Sequence, residues 1–219
     1  VSIFLSQSLS ATRLHPLSLH DALPICNPSQ SEKVARYLEK TLASDFADVN
    51  PWVYTLADNP LPLWDQTLWE DNEEWNQRLA PLKQQLNESD GFIIISPEWH
   101  GQVPAGLKNF FLMFNRFELG HKPALIVSVS SSDGGADPVA ELRMSSYKNN
   151  RLCYIPEQLV LRNIETILNE KAEDNNSDAD SYFKERISWT LGILRGYAVA
   201  LKSMRDTTEI HHDKFGNGM

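Results

Sequence analysis

Residues 91–95, Gly-Phe-Ile-Ile-Ile, form an apolar run, and Ser96-Pro97-Glu98-Trp99-His100-Gly101 follow without a break. A second run, Ala-Leu-Ile-Val-Ser-Val-Ser over 124–130, leads directly into Ser131-Ser132-Asp133-Gly134-Gly135. Runs this short and apolar predict buried strands. Three further strands are expected, at residues 1–6, 52–56 and 158–161. Between them lie helical patterns. Ser29 with Glu32 three residues later reads as a capping box, and Val34, Leu38 and Leu42 repeat at helical spacing. A second helix is expected over 73–86 despite Pro81, and a third from Pro104, which suits a first helical turn. Leu107, Phe110, Phe111 and Phe114 form the third helix's apolar face. A fourth covers 139–147, and Ile187, Leu191, Leu194, Ala198 and Leu201 mark a long last one. Alternating strands and helices call for a parallel sheet with helices on both faces. The order 2-1-3-4-5 is assumed for its five strands.

The length of 219 residues fits one domain, assigned to 1–206, with 207–219 expected to be a disordered tail. Residues 170–181, acidic and rich in asparagine, read as a mobile surface loop. A formal charge of -9 argues against general affinity for nucleic acid or anionic lipid. No apolar run approaches the roughly 18 residues needed to span a bilayer. Cys26 and Cys153 have no metal-like or CxxC spacing, so a reduced, cytoplasmic protein is expected. His211-His212-Asp213 lacks further nearby ligands and is not read as a metal site.

The stretch between the first strand and Ser29 fits this scheme poorly. It holds three prolines and no sustained period, and structureless loops of that length are uncommon inside a domain. Residues 17–25, Leu-Ser-Leu-His-Asp-Ala-Leu-Pro-Ile, look like translated sequencing-adapter text. A non-native insertion over about residues 12–26 is therefore expected, the alternative being a genuine long loop.

In an open parallel sheet, ligands bind beyond the carboxyl ends of the strands, where strand order switches. Three polar clusters fall at those ends. Ser8, Ser10 and Ser29-Gln30-Ser31 suit a phosphate, because a helix N-terminus offers free N–H groups and a partial positive charge; Ser29 and Ser31 are equally readable as caps. Pro97 to Gly101 suits a flat aromatic ring: Trp99 offers a stacking face and Gly101 permits close approach. Glu98 is either an acid or an acceptor of backbone N–H bonds that fixes the loop, and His100 either a general acid or a polar contact. Ser131, Ser132, Gly134 and Gly135 present backbone N–H groups to an anion or to ring carbonyls, unless they form a simple turn. Neither GxGxxG nor GxxxxGK[ST] occurs.

Gly-Phe-Ile-Ile-Ile-Ser-Pro-Glu-Trp-His-Gly-Gln-Val-Pro-Ala-Gly-Leu-Lys-Asn-Phe-Phe, residues 91–111, resembles the PEYNGxxPxxLKN signature of the NAD(P)H-dependent FMN reductase family. That family is flavodoxin-like and includes quinone, azo-dye and chromate reductases. Ser29 to Lys40 looks like its phosphate segment and first helix, Leu61 to Asp65 like its DLPLYD loop, and Ser130 to Arg143 like the segment after strand four. The resemblance implies a flavodoxin-like three-layer sandwich and noncovalent FMN. Its phosphate would meet Ser29, Gln30 and Ser31, with Ser8 and Arg13. Its ring would lie against Pro97, Glu98, Trp99, His100 and Gly101, and Ser131, Ser132, Gly134 and Gly135 would close the other edge. Here Trp99-His100 replaces the family's Tyr-Asn. The resemblance further implies NAD(P)H as co-substrate, a quinone-like or other small acceptor, and a homodimer or homotetramer. A nonenzymatic FMN-binding electron carrier or redox-responsive module is the alternative, and a cofactor-free scaffold a third.

Overall fold

A computed structural model describes residues 2–8, 11–18, 29–56, 59–70 and 72–218, the first two stretches by backbone alone. Two central strands, β4 (Phe92–Pro97) and β5 (Pro123–Val129), pair in parallel with Phe92 opposite Ala124 and Pro97 opposite Val129. Their side chains alternate between two cores. Ile93, Ile95, Leu125 and Val127 face one cluster, and Phe92, Ile94, Ala124 and Ile126 the other. Burial on both faces is why these strands read as unbroken apolar runs. The next strand, β6 (Cys153–Leu161), continues the parallel sheet beside β5.

Helices α1 (Gln30–Asp45) and α6 (Ser177–Thr207) pack on one face through Val34, Leu38, Leu42, Ile187, Leu191 and Leu194. The other face carries α2 (Glu73–Glu88), α3 (Ala105–Met113), the short α4 (Arg116–Leu119) and α5 (Ala136–Met144). Pro81 lies inside α2, which continues through it. Pro104 takes the N-cap of α3. Helix α6 starts at Ser177, so the expected loop over 170–181 shrinks. Asn176 caps the helix by accepting from Ala179 N–H, and Asp180 accepts from Leu168 N–H at 2.7 Å.

The amino-terminal strands correct the expected sheet. The sheet has six strands, ordered β2-β3-β1-β4-β5-β6, from β1 (Ser2–Ser8), β2 (Ala11–Ser18) and β3 (Val53–Thr55) together with the central three. β1 runs antiparallel to β2, β3 and β4, so it alone opposes a set of otherwise co-directional strands. The expected all-parallel first strand is thus reversed, and β2, parallel to β3, leads toward α1 in its place. Pairing direction is a nonlocal property, which the local pattern of Ile3 to Ser6 does not carry.

At the amino ends of the parallel strands, Lys122 is 5% exposed, and its Nζ donates to Leu86 O at 2.7 Å and Asn87 O at 3.1 Å, closing the end of α2. Beside it Asp90 pairs with Lys202 and Arg205. The segment after α6 also packs here, with the His212 ring against Phe117 and His121, and Gly218 N–H donating to Asn149 Oδ1. No helix among the described residues is long and apolar enough to cross a membrane.

Burial pushes the Lys122 ammonium from its usual value down to about 7, with Arg205 adding to the effect. The unfolded chain therefore binds the extra proton between about pH 7 and the ordinary lysine value, and stability rises with pH across that window. In urea unfolding, the wild type should gain on the order of 1 kcal/mol per pH unit there relative to Lys122→Met. Parallel pH profiles for the two proteins would remove Lys122 as the source.

Candidate functional site

Three segments far apart in sequence line one crevice of about 270 Å³ at the carboxyl ends of β4 and β5: Ser29 to Ser31, Pro97 to Trp99, and Val129 to Ser132. The first heads α1. Ser29 is the N-cap, and its Oγ accepts from Glu32 N–H at 3.2 Å. The N–H groups of Gln30 and Ser31 lie in the first turn, where helical bonding leaves them without partners. Ser31 is buried, and Gln30 Oε1 is a buried acceptor with no hydrogen bond.

The second segment turns at once after β4. Trp99 N–H donates to Gln102 O at 3.2 Å and Gln102 N–H to Trp99 O at 3.0 Å. The two residues between them, His100 and Gly101, have φ of 51° and 71°. Paired positive φ values are the mark of a tight type I′ turn, which favours a small polar residue followed by glycine. A Cβ on Gly101 would come 2.9 Å from Asp137 Oδ2 in the first turn of α5. The turn leaves Trp99 39% exposed at the mouth. His100 and Gly101 shape the turn and do not line the crevice.

The third segment is held to the second by Glu98. Its N–H donates to Val129 O at 3.0 Å, and its Oε2 accepts from Gly135 N–H, the N-cap position of α5. Of the two roles open to Glu98, the geometry matches the acceptor that fixes a loop. Gly134 and Gly135 back the loop and do not line the crevice. A Cβ on Gly134 would lie 2.7 Å from Glu98 Oε1; one on Gly135, at φ 93°, would lie 2.7 Å from Val160 Cγ1. The loop is tied on its far side as well, through Asn163 N–H to Ser132 O and Arg162 Nε to Gly134 O, at 3.2 and 2.8 Å.

The register carries Ser8 to the amino ends of the parallel strands, opposite the crevice, since it pairs with Ala11 at the start of β2. Arg13 lies within β2, and the side chains of both fall outside the described residues. Sequence reading missed Val129 and Ser130, which it assigned to the strand. It also missed Arg162 and Asn163, for which the one available signal was their position just past an expected strand. Among the described residues no cluster of His, Cys, Asp and Glu could hold a metal ion. The arrangement offers amide and hydroxyl donors at one end and an aromatic, proline-backed wall at the other.

Residues 25–166 match the sequence model of the family described as NADPH-dependent FMN reductase. The chain is 26% identical to an NADPH azoreductase of Bacillus sp. (strain OY1-2) over 139 residues, 64% of this chain and 75% of that protein. It is 34% identical to a quinone reductase of Escherichia coli (strain K12) over 100 residues, 44% of this chain and half of that protein. The structure is similar to that of the flavoenzyme NAD(P)H:(acceptor) oxidoreductase FerB from Paracoccus denitrificans. The TM-score is 0.60 at 18% identity, covering 86% of this chain and 97% of that one, a likeness of fold.

Glu98→Ala should strand Gly135 N–H and cost about 1–3 kcal/mol in urea unfolding, while Glu98→Gln, which keeps an acceptor oxygen, should lose much less. Equal losses from the two variants would mean that the negative charge, rather than the hydrogen bond, holds the loop.

Proposed function

We infer that this chain, a member of the NADPH-dependent FMN reductase family, binds FMN noncovalently in the crevice and uses NAD(P)H to reduce a small, quinone-like acceptor. The observation that carries this reading is the convergence of residues 29–31, 97–99 and 129–132 on one crevice. Its donor set fits the cofactor from end to end. The N–H groups of Gln30 and Ser31, with Ser29, would hold the phosphate on the positive end of α1. Gln30 Oε1, buried and unpartnered, would accept from a ribityl hydroxyl. Pro97, Glu98 and Trp99 would wall the ring, on a turn shaped by His100 and Gly101. The loop carrying Ser131, Ser132, Gly134 and Gly135 would close its other edge. FMN, when bound, supplies the redox chemistry, and the protein supplies position and surroundings. No side-chain acid or base is assigned.

The segment over about residues 12–26 is, in this reading, foreign to the domain of 1–206. The family match begins at residue 25, just where that segment ends. A chain with a short loop there would carry an all-parallel sheet in the order 2-1-3-4-5, with Ser8 brought to the crevice. The working form is a cytoplasmic homodimer or homotetramer; Leu112 and Phe117, exposed apolar residues near the end of α3, support such a contact.

Purified protein mixed with FMN and then desalted should keep flavin absorbance and oxidise NADPH or NADH when a quinone is present. Bound flavin without turnover on either nucleotide would favour the electron carrier, and a colourless protein would sink the cofactor assignment. Replacing residues 12–26 with a short loop should tighten FMN binding, read by quenching of flavin fluorescence. Unchanged or weaker binding would count against a foreign insertion.

A further inference from the structure

We propose that Arg162 receives a phosphate of the reducing pyridine nucleotide and so orients the co-substrate across the loop of residues 131–135. This deepens the function proposed above and rests on it. Arg162 follows the last residue of β6, level with the crevice, because Val129 pairs with Leu161 and Ser130 N–H donates to Leu161 O at 2.9 Å. Its Nε donates to Gly134 O at 2.8 Å. That bond fixes the plane of an exposed guanidinium and leaves both terminal nitrogens without a partner among the described residues. A fixed planar fork with free N–H groups is the geometry that matches a phosphate.

Other basic side chains around this end are already committed. Lys33 Nζ donates to Ile164 O, Ile167 O and Asn169 Oδ1 at 2.7 to 2.9 Å. Arg36 pairs with Glu32 and Glu39. Arg143 Nη2 is taken by Ile155 O, Pro156 O and Gln158 Oε1. The nearby acids do not neutralise Arg162. Glu98 is turned to Gly135 N–H, and Asp133 Oδ1 accepts from Asn163 Nδ2 at 3.1 Å.

The two phosphate sources are separated by measurement. α1 also approaches this rim, since Lys33 Nζ on its first turns donates to Ile164 O at 2.7 Å, two residues beyond Arg162. A phosphate seated at α1 is told from a dinucleotide lying over the loop by measuring FMN and nucleotide affinity separately. In a chain of formal charge -9, one exposed cation beside the crevice also favours the approach of an anionic co-substrate.

The test is calorimetric titration of NADP+ and NAD+ into FMN-loaded wild type, Arg162→Gln and Arg162→Lys, with FMN affinity measured separately by fluorescence quenching. Arg162→Gln should weaken NADP+ binding about tenfold or more, the usual worth of one charged hydrogen-bond partner. FMN affinity should fall far less, because Asn163 N–H to Ser132 O still ties the loop, and Arg162→Lys should recover part of the nucleotide loss. A matching loss for NAD+ assigns the pyrophosphate, and a loss confined to NADP+ assigns the 2′-phosphate. Unchanged nucleotide affinity overturns the proposal. So does a fall in FMN affinity of similar size, which would make Arg162 a support of the Gly134 loop, and so does a wild type that takes up FMN but binds neither nucleotide. Failure to take up FMN at all strikes the functional reading itself and would be seen before any nucleotide is added.

Discussion

The Glu98 carboxylate ties together two loops that the sheet alone would leave independent. β4 and β5 bring Pro97 opposite Val129, and Glu98 N–H extends that ladder by one bond to Val129 O. Beyond this point there is no further strand pairing. The side chain takes over by accepting from Gly135 N–H, the first donor of α5. An anion there also meets the positive end of a helix. The remaining demands follow. Gly134 has no room for a Cβ beside Glu98 Oε1, and Gly135 must take a left-handed conformation with no space before Val160. The glycine pair is thus determined by the carboxylate and strand it packs against.

The same logic shapes the turn after β4. The turn from Trp99 to Gln102 needs positive φ at both central residues, and Gly101 is further confined by Asp137 of α5. Histidine tolerates this region better than branched residues do, so His100 can stand where the related signature has asparagine. The indole ring before it is thereby held at the mouth by backbone bonds, independent of whatever lies against it.

Much of this was legible locally. The runs at 91–95 and 124–130 announce strands because both their faces are buried, Ser29 announces a helix because it satisfies an orphan N–H, and Pro104 marks a start. That the polar segments behind those strands would meet at one crevice was legible because chain direction fixes which end of a parallel strand is open. What was not legible depended on distant partners. Nothing in Ile3 to Ser6 says that β1 will pair antiparallel to Tyr54, Val53 and Phe92. Nor does any local pattern show that Arg162 will reach back to Gly134, or that Asn109 will hold the segment before α2 by donating to Pro62 O and accepting from Trp64 N–H. Glu98 stands between these cases. Its two possible roles were visible, and the choice between them needed the position of Gly135.

Among the described residues, the crevice lining contains no basic side chain. Lys33, on the first turns of α1, supplies no charge to it: its ammonium is drawn away to the carbonyls of Ile164 and Ile167 and to Asn169, and desolvation pushes its pKa down. Attraction for an anion at the head of α1 therefore rests on oriented amide dipoles and serine hydroxyls. Such donors are fixed by the backbone and need no mobile side chain to be ordered on binding. They act over a short range, within about the first turn of the helix. A ligand held this way is gripped at one end while the field over the rest of its length stays weak.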